Sequence, residues 1–226
     1  MCRRTLDLGS LRIRTPAIVA SLGADAERAA RSAESEGADI IEVRLDLLDD
    51  PGVIRDIRAS VSLPLMATNR ISSEGGSFRG SEERRIGVLM DASRFSDIID
   101  IELMAPGRDQ LLENISCPAL ISYHDFSGIP EDVQAIIEDA RSAGADVVKI
   151  AVTPHSMREA LDLLRLLLDE SHPLCVIGMG AVGRHLRVVA PLYGSVLTYG
   201  YVTEPTAPGQ MSVRELDTAL RCLGAR

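Results

Sequence analysis

Of the 24 lysine and arginine residues in this 226-residue chain, Lys149 is the only lysine. It sits in the middle of the apolar stretch Asp146-Val147-Val148-Lys149-Ile150-Ala151-Val152. Arginine supplies positive charge but does not give up its proton, so the exception points to chemistry that needs a neutral amine. An amine enclosed by Val, Ile and Ala sheds its proton more readily than one in water, and the neutral form attacks a ketone or aldehyde to give a Schiff base. The structural alternative is a lysine that snorkels or pairs with a carboxylate at a strand end.

His124 ends another apolar run, Pro118 to Phe126, one strand–helix–strand unit before Lys149. Neighbouring parallel strands would bring imidazole and amine to one mouth, which suits a general base beside an imine. A histidine satisfied by its own strand end is the alternative. His155, His172 and His185 have no such setting and read as surface or capping residues. In Asp39 to Asp46, a period of two puts Glu42, Arg44 and Asp46 on one face of a strand that is polar on its inner side. Arg70 to Ser77 is a long polar loop carrying Glu74, the kind of segment that holds function on a rigid scaffold.

Gly178-Met179-Gly180-Ala181-Val182-Gly183 matches G-x-G-x-x-G, with Glu204 downstream, and taken literally suggests a dinucleotide. A Rossmann unit wants further βα units behind that turn, and too little chain follows Gly183. The same physics serves a simpler anion: glycines and a helix N-terminus would take a carboxylate or phosphate, with Arg187 as the charged clamp. Gly75-Gly76 and Ala207-Pro208-Gly209-Gln210 read equally as plain turns or as covers over a mouth.

The elements that must position these residues form a regular series. Thr5 to Ile13 alternates around Gly9-Ser10 and reads as a short hairpin, about residues 5–14, closing one end of something larger. Strands follow at Ala17 to Leu22, Asp39 to Asp46, Pro64 to Asn69, Asp97 to Leu103, Pro118 to Phe126, Asp146 to Val152, Leu174 to Met179 and Val196 to Val202. Between them lie amphipathic helices: Asp25 to Glu36, one from Pro51, about fourteen residues from Ser81, Asp109 to Asn114, Val133 to Gly144, Ser156 to Glu170 and Gly183 to Ala190. A last helix carries Val213, Leu216, Ala219, Leu220 and Leu223 on one side. Strand–helix alternation without a linker predicts one domain over residues 1–226, an α/β protein folded as a single (β/α)8 TIM barrel with an N-terminal β-hairpin; an open doubly wound sheet is the alternative. In a barrel the active site lies at the carboxyl ends of the strands, so Glu42, Arg44, Arg70, Glu74, His124, Lys149, Met179 and Arg187 would face one mouth.

A net charge of −9 argues against a nucleic-acid surface, so an anionic substrate must be held by local arginines. Cys2, Cys117, Cys175 and Cys222 are widely spaced, without metal-ligand companions, and read as reduced thiols of a cytosolic protein. No signal peptide, membrane span or lipidation signature is visible.

Taken in order from about Ala17 to Leu220, Glu42-Val43-Arg44-Leu45-Asp46, Arg70 with Glu74-Gly75-Gly76, Ile99-Asp100-Ile101-Glu102-Leu103, Ser122-Tyr123-His124-Asp125-Phe126, Val148 to Val152, Met179 to Arg187, Tyr193-Gly194-Ser195 and Ala207 to Gln210 resemble one family. That family is the type I 3-dehydroquinate dehydratases, the Schiff-base class of the shikimate pathway of aromatic amino-acid biosynthesis. The resemblance implies dehydration of 3-dehydroquinate to 3-dehydroshikimate, with Lys149 as nucleophile, His124 as base and acid, and Glu74 orienting His124. It further implies that Arg187 clamps the substrate carboxylate with Gln210 and Thr206 assisting. Glu42, Arg44 and Arg70 would read ring hydroxyls, Ser21 would line the mouth, and Met179 and Tyr199 would supply apolar walls. It implies no cofactor, no metal, a small-molecule substrate as the partner, a homodimer and a cytoplasmic location. Thr206, Ile177 and Leu186 depart from residues common in the family, which bears on substrate contacts rather than on the reacting pair. Other readings of the same residues are a class I Schiff-base aldolase acting on a sugar phosphate, a non-catalytic carboxylate-binding barrel and, more distantly, a nicotinamide enzyme.

Overall fold

The computed structural model describes residues 4–168, 170–207 and 209–226. Strands β1 (Arg4–Leu8) and β2 (Leu11–Thr15) pair antiparallel around Gly9, whose φ of 57° suits a tight hairpin turn. Then come β3 (Ala17–Leu22), α1 (Ala26–Ala33), β4 (Ile40–Arg44), α2 (Ile54–Ser60), β5 (Leu65–Thr68), α3 (Glu82–Ala92), β6 (Ile98–Glu102) and α4 (Arg108–Asn114). The chain continues through β7 (Ala119–Asp125), α5 (Val133–Ser142), β8 (Val147–Val152), α6 (Met157–Leu166), β9 (Leu174–Gly178), α7 (Gly180–Gly183), α8 (Leu186–Tyr193), β10 (Leu197–Tyr201), β11 (Met211–Ser212) and α9 (Val213–Cys222).

The larger sheet is parallel in the order β11-β10-β3-β4-β5-β6-β7-β8-β9. Between β9 and β10 the ring closes by a main-chain bond from Val196 N to Leu174 O, 3.0 Å. The Ser195 hydroxyl spans the same seam, accepting from Val176 N and donating to Leu197 O. Strands β3 to β10 are thus the eight staves of a (β/α)8 barrel.

Alternation along each strand divides the apolar residues into two sets. Ile18, Ile41, Ile99, Val148 and Ile150 face the helices, while Val19, Ile40, Met66, Ile98, Leu120, Val147 and Leu197 pack inside the barrel. Leu6, Leu8 and Ile13 of the hairpin join the inner set and plug the floor. One step further along the same inward faces the residues turn polar: Ser21, Glu42, Asp100, Ser122 and Lys149 are all buried. The barrel is therefore dry at the amino ends of its strands and charged towards their carboxyl ends, where the loops can build a site.

Four expectations need correction. Strand β4 stops at Arg44, and Asp46 lies in a 3-10 turn over Leu45–Leu47 rather than in the strand. The helix expected from Gly183 to Ala190 is two pieces, α7 and α8, the second running past Pro191 to Tyr193. Pro191 has no N–H for the Arg187 carbonyl four residues back, and the Thr198 hydroxyl donates to that carbonyl instead, at 2.7 Å. Leu223 is exposed because α9 ends at Cys222 before the apolar stripe reaches it. Several other helices are shorter than the periodicity suggests, α3 by three residues (eleven in place of fourteen), while α4 starts one residue earlier than expected, at Arg108. No described helix is long and apolar enough to cross a membrane. Cys117, Cys175 and Cys222 are free thiols; Cys2 and Pro208 lie outside the described residues.

Candidate active site

In β8 every second side chain points into the barrel, so Lys149 enters the interior between Val147 and Ala151. Its flanking Val148 and Ile150 face the helices. The amine thus meets inner-face neighbours rather than the apolar wall its sequence neighbours suggested. Nζ lies 3.1 Å from Asp100 Oδ2 and 4.2 Å from the centre of the Tyr199 ring, an ion pair and a cation–π contact in one place. The ion pair weighed as the structural alternative for this lysine is therefore present, with the amine at the wall of the cavity.

Asp100 belongs to a chain of alternating charges through the barrel wall. Arg70 donates to Asp100 at 2.7 Å, to Glu102 at 3.1 Å and to Ser122 Oγ at 2.6 Å, and Ser122 donates to Asp100 at 2.7 Å. Arg85 closes the far end on Glu102 at 2.9 Å. These charges are buried, so they must be paired. Burial alone would raise the Asp100 carboxyl, but the Arg70 guanidinium and the Lys149 ammonium outweigh it and hold the group well below the usual carboxylate range. Asp100 is thus held as an anion beside the amine.

Strand β7 is in register with β8, Ser122 opposite Lys149 and His124 opposite Ala151. His124 therefore stands one pleat nearer the mouth than Lys149, on the same face of the adjacent strand. Glu74 Oε2 lies 2.9 Å from the His124 main-chain nitrogen and 2.9 Å from its Nδ1. Burial, then the Arg70 and Lys149 charges, push the imidazole well below its ordinary value against the pull of Asp100. Burial also pushes the Glu74 carboxyl up to about 7, aided by Glu102 and Asp100 and opposed by Arg70 and the His124 amide. With Glu74 ionised, the contact is a neutral imidazole donating Nδ1–H to the carboxylate, which leaves the Nε2 lone pair as acceptor.

Glu74 is carried by a 3-10 turn, Ser72–Glu74, ended by Gly75 with φ 80°. A Cβ on Gly75 would lie 2.4 Å from the Phe126 ring, and one on Gly76 would lie 1.9 Å from the Arg70 carbonyl oxygen. Only glycines let this loop fold so closely on itself and on β7.

The other expected residues stand around the same cavity. Ser21, Glu42, Arg44, Arg70, Glu74, His124, Lys149, Met179, Arg187, Tyr199, Thr206 and Gln210 all line it, together with Gly75, Phe126, Ala151, Ile177 and Ala207. Glu42 accepts from Ser21 and, at 2.9 Å, from Thr68. Arg44 grips Asp46 in a fork, 2.9 and 2.8 Å, so Glu42 and Arg44, though on one face of the strand, have separate partners. Thr206 Oγ1 is 2.8 Å from Ser21 Oγ, and Gln210 Oε1 accepts from Thr206 N at 2.7 Å, which pins the loop after β10 to the rim. Arg187 donates to the Tyr199 carbonyl at 3.2 Å, and burial lowers its guanidinium to about 10. Arg70, expected to read ring hydroxyls, lines the cavity and directs NH1 and NH2 to Glu102, Ser122 and Asp100 in the wall network.

The glycine-rich turn brings strand and helix together. A Cβ on Gly178 would be 2.6 Å from the Gly183 oxygen, and Gly180 takes φ 68°. Asp46, Asp100, Glu102 and Ser122 carried no assigned role in the sequence. The available signal was the alternation Asp100, Glu102 within Ile98 to Leu103, which puts two carboxylates on one inward face.

The model of the type I 3-dehydroquinase family matches residues 17–226. A 3-dehydroquinate dehydratase of Methanothrix thermoacetophila is 83% identical over 226 residues, covering 100% of both chains. The 3-dehydroquinate dehydratase from Geobacillus kaustophilus HTA426 has a crystal structure that superposes with a TM-score of 0.88 at 27% identity, covering 98% of this chain and 96% of that one. A type I 3-dehydroquinate dehydratase from Clostridium difficile, solved with covalently modified comenic acid, gives a TM-score of 0.84 at 26% identity and covers 98% of each chain.

Proposed function

The chain belongs to the type I 3-dehydroquinase family of hydro-lyases, and from that premise we propose that it dehydrates 3-dehydroquinate to 3-dehydroshikimate through an imine on Lys149. The observation that carries the reading is the placing of an amine and a neutral imidazole in one buried cavity, one pleat apart on adjacent strands.

Lys149, once deprotonated, adds to the C3 ketone, and loss of water from the carbinolamine leaves a protonated imine. Asp100, ionised and already beside Nζ, is the counterion of that iminium, and the Tyr199 ring face adds to the stabilisation. His124 Nε2 takes the C2 proton, the electron pair flows into the iminium, and the enamine expels hydroxide from C1. The same imidazole, now protonated, delivers the proton that turns the leaving group into water. Water then hydrolyses the product imine and frees Lys149. Glu74 fixes the tautomer and bears part of the charge when the imidazole is protonated. A positioned acid–base group of this kind contributes about 10²–10⁴ in rate.

Arg187 is the cation for the substrate carboxylate, with Gln210 and Thr206 at its side of the rim. Glu42 and Arg44 read ring hydroxyls, Ser21 supports Glu42, and Met179 and Tyr199 wall the ring. Arg70 contributes chiefly by holding Asp100 and Glu102 in place. The working protein is a homodimer in this reading, which light scattering on the purified protein checks. The activity itself is tested by adding 3-dehydroquinate and following the conjugated enone of the product in the near ultraviolet. Enone formation by the wild type and none by Lys149→Met is expected; turnover by Lys149→Met at the wild-type rate would rule the mechanism out.

A further inference from the structure

One buried carboxylate outside the cavity, at the end of β4, ties the reacting pair's support to the barrel. The Asp46 side chain has no exposed surface. Its two oxygens receive the Arg44 fork at 2.9 and 2.8 Å, the Arg70 main-chain N–H at 3.2 Å and the Ser77 main-chain N–H at 3.0 Å. Arg70 and Ser77 are the two ends of the loop that carries Glu74. Inside that stretch the chain bonds to itself, Glu74 N and Gly76 N to the Ile71 carbonyl, so the segment between the two clipped amides is one compact turn. From it Glu74 reaches across to His124. A single anion therefore staples both feet of the turn to the barrel wall and orients Arg44, a rim side chain, at the same time.

We propose that Asp46 is a positioning residue for catalysis: by clipping Arg70 N–H and Ser77 N–H it fixes the turn whose Glu74 sets the tautomer and aim of His124. The proposal rests on the reading of His124 as the base and goes one layer behind it. Four N–H donors converge on this carboxylate, two on each oxygen, and an asparagine in its place must turn an amide NH₂ towards two of them, one arm of the Arg44 fork and one foot of the turn. One arm of the Arg44 fork and one foot of the turn lose their acceptor together, and Glu74 loses its fixed distance to His124. Structural loss alone would lower the melting point and the amount of active enzyme but would leave the pH dependence of each active site unchanged.

The test compares wild type, Asp46→Asn, Glu74→Gln and the double variant by kcat and KM across pH, alongside borohydride trapping of 3-dehydroquinate on Lys149. The expected result is a kcat at least tenfold down in Asp46→Asn, a pH profile displaced towards that of Glu74→Gln, and a double variant no slower than Glu74→Gln alone. Trapping on Lys149 should persist, which separates this proposal from the imine reading: no trapping in the wild type would sink that reading first. A wild-type pH profile in Asp46→Asn, or single effects that multiply in the double variant, would overturn the positioning role. Should Asp46→Asn fail to fold, Asp46→Ser, which removes the carboxylate and leaves room for water, goes through the same comparison. Hydrogen exchange on the wild type gives an independent reading: slow exchange at Ser77 N–H is expected, and exchange as fast as an exposed amide would contradict the staple.

Discussion

Glu74 Oε2 stands 2.9 Å from both the main-chain nitrogen and Nδ1 of His124, so one oxygen collects two N–H groups of the same residue. With Glu74 ionised, the double contact assigns the ring proton to Nδ1. With Nδ1 as donor, Nε2 is the acceptor that a base needs, and the neutral state of the imidazole is secured by burial and by the Arg70 and Lys149 charges.

The same contact sets the pH dependence. Glu74 holds the Nδ1 proton best as an anion, and burial has pushed its carboxyl up to about 7. Activity should therefore rise as pH increases through about 7, and Glu74→Gln should flatten that limb while lowering kcat, in steady-state profiles. Stability follows with the opposite sign. A carboxyl raised in the folded state contributes stability that is complete below its ordinary value of 4.5 and is lost as pH climbs through about 7. Melting curves should thus show Glu74→Gln gaining on the wild type at pH ~8 relative to pH ~5.

Asp100 faces a guanidinium and an ammonium with no access to water. Asp100→Asn leaves both cations short of their partner, and breaking a buried pair in this way costs about 3–5 kcal/mol. Calorimetry should register a fall of roughly 10 °C in melting temperature at ~2–4 °C per kcal/mol. In whatever fraction folds, imine trapping should slow, because the iminium has lost its counterion. An Asp100→Asn protein that melts and traps like the wild type would show the alternating charge chain to be unimportant.

Arg187 is 1% exposed and its NH1 donates to the Tyr199 carbonyl, so its guanidinium is placed rather than flexible. Removing a charged hydrogen-bond partner typically costs about 1.5–3 kcal/mol, so Arg187→Ala should raise KM about 10–100-fold. A keto substrate lacking the carboxylate should treat wild type and variant alike. Equal discrimination against that analogue by both proteins would move the carboxylate site elsewhere on the rim.

Much of this was visible in the chain before folding. The strand Ala17–Leu22 was legible to the residue because Pro16 and Gly23 bound it, and the lone lysine and the inward alternation of Glu42 with Arg44 marked the mouth. Partners were not legible, because a barrel decides them. Asp46 meets the Ser77 amide across 31 residues, and Arg70 meets Ser122 across 52, distances over which no periodicity speaks. The course of α8 past Pro191 depended likewise on a hydroxyl from β10, eleven residues beyond the carbonyl it satisfies. The two-residue strand β11 is too short to leave a pattern, and its pairing with Gly200 and Tyr201 exists only once β10 is in place.

The central claim is that Lys149 forms an imine with a six-membered keto acid, and borohydride reduction reads it directly. Protein incubated with 3-dehydroquinate and reduced should carry a substrate-sized mass on the peptide containing Lys149. His124→Ala should slow turnover by about 10²–10⁴ and still be labelled there. Folded wild-type protein that gains no mass on Lys149, or gains it on another residue, would contradict the account.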